Sequence, residues 1–279
     1  MINLQDNTKF YVGDICLNDF LAERSTDYFI LKCEPEFPNP EPVFETFEGS
    51  DGQRLVNNRF DSYYFHLEFM TKTPDKYDTQ LLMNELKTLL FQRTPFYIRY
   101  SLEDGKRFKV LTDEMHEEMQ NTRFSIFTVS FIVFEGRSES AGASLDEFGL
   151  ESDWQFSQGI VTEDYQYTHD TSRFIIYNAG DFLIDPREHD LRIRVEGESD
   201  GQLNIFNRTT GERFIYFPEF STRRGDWVEL DGVYPRRNGV NCGIDTNHGL
   251  ITLVPGENDI EIQNISRVKS EWDFRFLYR

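Results

Sequence analysis

Histidine is the first residue type to question for chemistry, because imidazole both ligates metals and carries protons near neutral pH. His66, His116, His169, His189 and His248 are scattered, with no His-Glu-x-x-His and no i,i+4 pair. His116 lies in Asp113-Glu114-Met115-His116-Glu117-Glu118, a run that reads as a solvated acidic turn or helix end between two strands. Phosphate binding needs a glycine cradle, and neither Gly-x-x-x-x-Gly-Lys nor Gly-x-Gly-x-x-Gly occurs; Gly105-Lys106 is a hairpin tip. A nucleophile elbow needs Gly-x-Ser-x-Gly, whereas Gly49-Ser50-Asp51-Gly52 has those elements in the wrong spacing. Glycoside hydrolysis needs two carboxyls held about 5–9.5 Å apart. With 49 acids in the chain, some pair meets that distance by chance. The expectation is no catalytic residue, no cofactor-binding residue, no metal ligand and no enzyme.

Aromatic surfaces are the remaining chemical option. Trp227, Tyr234 and Trp272 could form a sugar-stacking platform, since such rings join an apolar face to a polar handle. Trp227 and Trp272 sit inside strand-like runs, where a ring more often belongs to the core.

Charge excludes other classes. The chain has 29 Lys and Arg against 49 Asp and Glu, a formal −20. That balance opposes binding to nucleic-acid phosphates and to anionic lipid. The amino terminus, Met1-Ile2-Asn3-Leu4-Gln5-Asp6, has no cationic region followed by an apolar one, so no signal peptide is expected. Phe124–Phe134 is the longest uncharged aromatic-aliphatic stretch and falls well short of the ~20 apolar residues of a membrane span. Cys16, Cys33 and Cys242 form an odd set without a close pair, against a disulfide framework or zinc knuckle. A soluble protein made in the cytoplasm, without membrane anchor or sequence-specific nucleic-acid partner, is the expectation.

The elements that would carry any site are mostly strands. Tyr63, Phe65, Leu67 and Phe69 alternate with polar neighbours, as do Phe127, Val129, Phe131 and Val133, the mark of half-buried strands. Phe96–Tyr100 and Arg107–Leu111 are shorter strands joined through the Asp104-Gly105 turn. One helix is expected, capped at Asp78 or Thr79 and running to about Gln92, with Leu82, Leu86, Leu89 and Leu90 on one face. Pro35, Pro38, Pro40 and Pro42 stiffen an extended arm that cannot join a central strand. From Ser138 through Ser172 there is no Lys or Arg, and this span reads in part as an acidic linker. After it, short strands alternate with turns such as Asp200-Gly201, Thr210-Gly211, Asp231-Gly232 and Asn238-Gly239, the pattern of a β-sandwich.

The whole is expected to be mainly β. An amino-terminal α+β domain with one helix spans residues 1–140, an acidic linker 141–172 and a carboxy-terminal β-sandwich 173–279.

Several motifs in the second half occur together in one order. They are Tyr177-Asn178-Ala179-Gly180, then Asn207-x-x-Thr210-Gly211-Glu212-Arg213-Phe214, then Gly225-Asp226-Trp227 and Asn238-Gly239-Val240, and finally Leu253-Val254-Pro255-Gly256-Glu257-Asn258-Asp259-Ile260. In this order and spacing the chain resembles the distal tail proteins of long-tailed phages infecting Gram-positive hosts. Gly49-Ser50-Asp51-Gly52 resembles that family's Gly-Arg-Asp-Gly turn, with Ser50 in place of Arg.

The resemblance implies a structural virion protein at the distal end of the tail. It implies a hexameric ring of amino-terminal domains around the tail lumen and a peripheral sandwich of galectin or carbohydrate-binding-module type. The ring would join the tail tube protein and tape measure protein to the tail-associated lysin or tip protein and the receptor-binding protein. By carry-over the arm would be residues 35–57, with Pro35, Pro38, Pro40, Pro42, Phe44 and Phe47 as its intersubunit residues. The alternative is a host-adhesion module that binds cell-wall saccharide through the carboxy-terminal sandwich.

Overall fold

The computed structural model describes residues 8–49, 51–121, 123–146 and 165–279. The chain divides into two compact units, one ending at Glu139 (and including Arg279) and one spanning Ser140–Tyr278.

In the first unit β1 (Phe10–Val12), β2 (Ile15–Cys16), helix α1 (Leu17–Arg24) and β3 (Asp27–Pro35) are followed by β4 (Pro40–Glu45), β5 (Arg54–Phe60) and β6 (Tyr63–Lys72). Helix α2 (Lys76–Leu90), β7 (Phe96–Tyr100), β8 (Lys106–Met119) and β9 (Phe124–Val133) complete it. The strand order is β2-β1-β7-β8-β9-β6-β3. Strand β8 belongs to two layers. Phe108–Val110 pairs with β7, whereas Leu111–Met119 pairs with β9, with a shift of register between Thr112 and Glu114. Such an irregularity bends a strand and lets it turn from one sheet direction to another.

The alternating residues of β6 and β9 face inward as their spacing requires. Phe65, Leu67, Phe69, Phe127, Val129, Phe131 and Val133 are all fully buried. Leu82, Leu86 and Leu90 of α2 enter the same core, so the helix is seated by one apolar stripe. Its cap is Asp75, upstream of the expected Asp78 or Thr79. The Asp75 carboxylate accepts from the backbone N–H groups of Tyr77 at 2.7 Å and Asp78 at 3.1 Å. A second helix, α1, adds to the expected one; with Leu17 and Leu21 alone buried, it has too little stripe to be read from periodicity. The acidic run around His116 is the distal part of β8, in place of the expected turn or helix end, because its backbone stays in register with β9 as far as Ser125.

The chain passes between units in β10 (Ser138–Ser140). In the second unit the strands are β11 (Thr168–His169), β12 (Arg173–Asn178), β13 (Leu191–Ser199), β14 (Leu203–Asn207), β15 (Arg213–Tyr216) and β16 (Phe220–Ser221). They continue with β17 (Val228–Asp231), β18 (Tyr234–Arg237), β19 (Val240–Asn241), β20 (Gly256–Gln263), β21 (Ser266–Phe274) and β22 (Leu277–Tyr278). One sheet runs β11-β21-β13-β17-β18-β19, with β16 on β13; the other runs β12-β20-β14-β15. Their inner faces share one core, from Ile176, Ile205, Phe214 and Ile260 on the smaller sheet to Ile193, Val228, Trp272 and Phe274 on the larger. This is a β-sandwich.

Both described ends of the span read as linker 141–172 bond to the sandwich. Ser144 Oγ donates to the Trp272 carbonyl at 2.7 Å and accepts from Phe274 N–H at 3.0 Å. Tyr167 is buried in the sandwich core, and its hydroxyl donates to the Tyr177 carbonyl at 2.8 Å. The second unit therefore takes in residues on both sides of the acidic span, since Leu145, Tyr165 and Tyr167 give them apolar surface to bury. Residues 147–164, which include Trp154 and Phe156 of the expected linker, lie outside the described residues.

Candidate interaction surfaces

The arm residues are arranged as a hairpin. Pro35 ends β3 opposite Phe65, and Pro38 lies in the link that follows. Pro40 and Pro42 lie in β4, which among the described residues pairs with β5 alone. In a two-stranded ribbon both strands are edges, so a residue without an N–H is tolerated there. Phe44 sits opposite Leu55, and a bulge falls between Val43 and Phe44. Arg59 Nε donates to Glu41 Oε2 at 2.6 Å from the facing position. Every described residue from Pro40 to Arg59 is exposed. Phe37 is 92 % exposed, Phe44 50 % and Phe47 52 %, and Val43, Leu55 and Val56 are similarly open. Ser50, in the Gly49–Gly52 turn, lies outside the described residues. A hairpin of two strands is marginal alone in water, and a cluster of open Phe, Leu and Val has the composition of an interaction surface.

The three aromatic residues of the sandwich do not form one platform. Trp272 faces inward with no exposed surface, its Nε1 donating to Ser270 Oγ at 3.3 Å and its ring edge-on to Phe174. It is excluded from any surface because the inner face of β21 places it in the core between the sheets. Trp227 is half-buried and roofed by the Arg194 guanidinium, 4.5 Å above the ring. Tyr234 alone offers an open ring, 57 % exposed, at the start of β18.

Registers place Asp273, Arg192, Asp231 and Tyr234 in one row across β21, β13, β17 and β18. Glu271, Arg194, Glu229 and Arg236 form the next row. Arg192 pairs with Asp273 and Arg236 with Asp231, each at 2.8 Å. The Lys269 ammonium beside Glu271 holds that carboxyl below its ordinary range.

The histidines are dispersed. His66 Nε2 lies 2.9 Å from Glu36 Oε1, His116 Nε2 3.0 Å from Glu114 Oε2, and His169 stacks on Phe174. Burial pushes the His169 imidazole below its ordinary value. Among the described residues no three His, Cys, Asp or Glu side chains gather as a metal site, and no helix is long and apolar enough to cross a membrane.

Residues 24–133, within the first unit, match the family model described as phage tail protein RIFT-related domain. The chain is also similar in structure to the phage SPP1 Dit protein, described as a paradigm of the hub adsorption apparatus in Gram-positive infecting phages. The TM-score is 0.69 at 12 % identity, over 97 % of this chain and 100 % of that one. The chain has the distal tail protein fold. Chains of the phage P2 baseplate in its activated conformation, with calcium and with strontium, give TM-scores of 0.45 and 0.43 at 10 % identity, over 97 % of this chain and 98 % of theirs. No curated protein matches.

Within this distal tail fold the ordered motifs of the second half are turn locks. Asn258 is fully buried; its amide donates to the carbonyls of Val254 at 2.9 Å, Gly256 at 3.1 Å and Ile176 at 3.3 Å. Asn207 donates to the Thr252 carbonyl at 2.7 Å and to Asn258 Oδ1 at 3.3 Å. Asn178 donates to the carbonyls of Phe182 at 2.9 Å and Leu253 at 3.1 Å. Gly180 follows because a Cβ there would lie 2.6 Å from the Leu277 carbonyl oxygen. Asp226 accepts from Asn238 Nδ2 at 3.0 Å, from Ser221 N–H at 3.2 Å and from Arg237 Nη2 at 2.9 Å. These bonds, led by that from Asn238, hold the Asp226 carboxyl below its ordinary range. The sequence motifs thus serve the sandwich itself, by satisfying buried carbonyls at its chain reversals.

Proposed function

We propose that this protein is a distal tail adaptor of a long-tailed phage. It forms a ring, six copies in the reading favoured here, that joins the tail tube and tape measure to the tip and receptor-binding proteins. The role is structural and no substrate is transformed. The observation that carries the reading is the β4–β5 hairpin, which among the described residues pairs with no other strand and leaves Phe37, Phe44, Phe47 and Leu55 open. One hairpin per copy, docking head-to-tail on the next copy, generates a closed ring when the rotation closes. A Pro-stiffened ribbon loses little freedom on docking. The distal-tail fold over the whole chain supports the same role, and a net −20 suits a ring that DNA must traverse without adhering.

Native mass spectrometry of the purified chain tests the reading. Six copies, or a concentration-dependent route to six, is the expected result; a monomer under all conditions counts heavily against it. Labelled electron microscopy of tails then locates the chain, with its signal expected at the distal end.

A further inference from the structure

On the second unit a cavity of about 780 Å³ opens at one end of the larger sheet. It lies over the row Asp273, Arg192, Asp231 and Tyr234, and is walled by the 186–190 loop, the Gly232-Val233 turn and Arg275. We propose that this groove binds a neutral oligosaccharide, with Tyr234 stacking on a sugar ring and Asp231, Arg192 and Asp273 meeting its hydroxyls.

Charge decides against an anion. Arg192 and Arg236 are each 2.8 Å from an aspartate of the groove, and Arg187 is 2.8 Å from Asp185. Arg275 spends a guanidinium N–H on the carbonyls of Ser140 and Ala141. Glu188 and Asp190 add two more acids to the wall. A phosphate or carboxylate entering here meets a carboxylate beside Arg187, Arg192 and Arg236.

A vicinal diol meets the opposite situation. Carboxylates only accept and guanidinium only donates, whereas a hydroxyl does both. One hydroxyl can donate to Asp231 or Asp273 while a neighbouring one accepts from Arg192, with the ion pairs left in place. The open Tyr234 ring supplies the flat apolar face that C–H groups of a sugar require.

Spacing sets the length. Strands lie about 4.8 Å apart, so four groups in one row span roughly 14 Å, the reach of about two or three linked sugar rings lying across the strands. Sheet stability alone accounts for paired charges on a flat face. It gives no reason for an open ring beside a concavity with converging polar groups, the ordinary form of a small-ligand site. The proposal stands apart from the ring reading: a single copy holds the whole groove, so a failure to oligomerise leaves it untouched.

The test uses the full chain in titrations against neutral trisaccharides of hexose and N-acetylhexosamine, with poly(glycerol phosphate) as the anionic comparison. Expected is saturable binding of at least one neutral trisaccharide, weakened tenfold or more by Tyr234→Ala and by Asp231→Asn, with Trp227→Ala unchanged and poly(glycerol phosphate) unbound. Thermal unfolding of each variant accompanies the titrations. Should Tyr234→Ala fail to fold, Asp231→Asn and Asp273→Asn decide. Failure to bind any neutral trisaccharide, binding of poly(glycerol phosphate) only, or equal binding by the folded Tyr234 and Asp231 variants would overturn the proposal.

Discussion

Replacing Phe44 and Phe47 by serine removes the two largest open side chains of the β4–β5 ribbon and its tip. At 50 % and 52 % exposure each keeps about half its surface in water. A phenylalanine buries about 200 Å² in full, so roughly 100 Å² per ring remains to be covered by a neighbouring copy. At about 25 cal/mol per Å² that is worth about 2.5 kcal/mol per ring, or about 5 kcal/mol per contact as an upper bound. Ordering the ribbon on docking takes back a share, leaving about 3 kcal/mol, or roughly a hundredfold in the association constant. The folded unit loses nothing comparable, because neither ring is in its core. Phe44→Ser/Phe47→Ser is therefore expected to shift the oligomer–monomer midpoint about a hundredfold upward in concentration, by sedimentation and native mass spectrometry. Its melting temperature at a concentration where both proteins are monomeric stays unchanged. An unchanged midpoint, or a melting point lowered in that monomeric state, refutes the reasoning, since the first means the rings touch no neighbour and the second that they support their own unit.

Two further outcomes concern the sandwich. Asp226→Asn replaces an acceptor of three hydrogen bonds by an amide whose NH₂ must face Arg237 or Asn238, and should cost about 2 kcal/mol at pH 7 in urea unfolding. Since the folded carboxyl is held below its ordinary value, its contribution is full above about pH 4 and fades as pH falls through that lower value, so the two proteins should converge in acid; a constant difference from pH 7 down to pH 2 speaks against it. Asn258→Asp sets a carboxyl oxygen among three carbonyls in a site without water access, and should lower sandwich stability by about 3 kcal/mol or more, a loss within 0.5 kcal/mol being the contrary result.

The parts of the fold legible in the sequence are those where one periodicity governs many residues. Strands β6 and β9 follow from their alternating aromatic and aliphatic residues, and α2 from leucines on one stripe. What escaped depends on partners distant in sequence. Helix α1 is eight residues with two buried leucines, and its place is set by the strands around it. The distal part of β8 looks like a charged turn because five of its seven residues from Asp113 are acidic or His; pairing with β9 holds it extended. The stretch 250–253, strand-like by composition, makes one isolated bridge from Leu253 to Ile184, accepts from buried asparagines and donates from Thr252 to Glu212. Of the surfaces, the proline spacing pointed to the arm, whereas the row beneath Tyr234 joins four strands far apart in the chain and has no local signature. Trp272 of β21 faces the core and Tyr234 of β18 faces outward, and which face a strand residue takes is a matter of register.

For the proposed ring, the self-paired ribbon also bears on how a single copy persists before closure. Unmet backbone groups along both its edges, beside open phenylalanines, invite any passing strand as readily as the proper one. A surplus of twenty negative charges keeps sister molecules at a distance and slows such encounters. Added salt weakens that repulsion within a Debye length, so ionic strength becomes a dial for productive closure and for clumping alike.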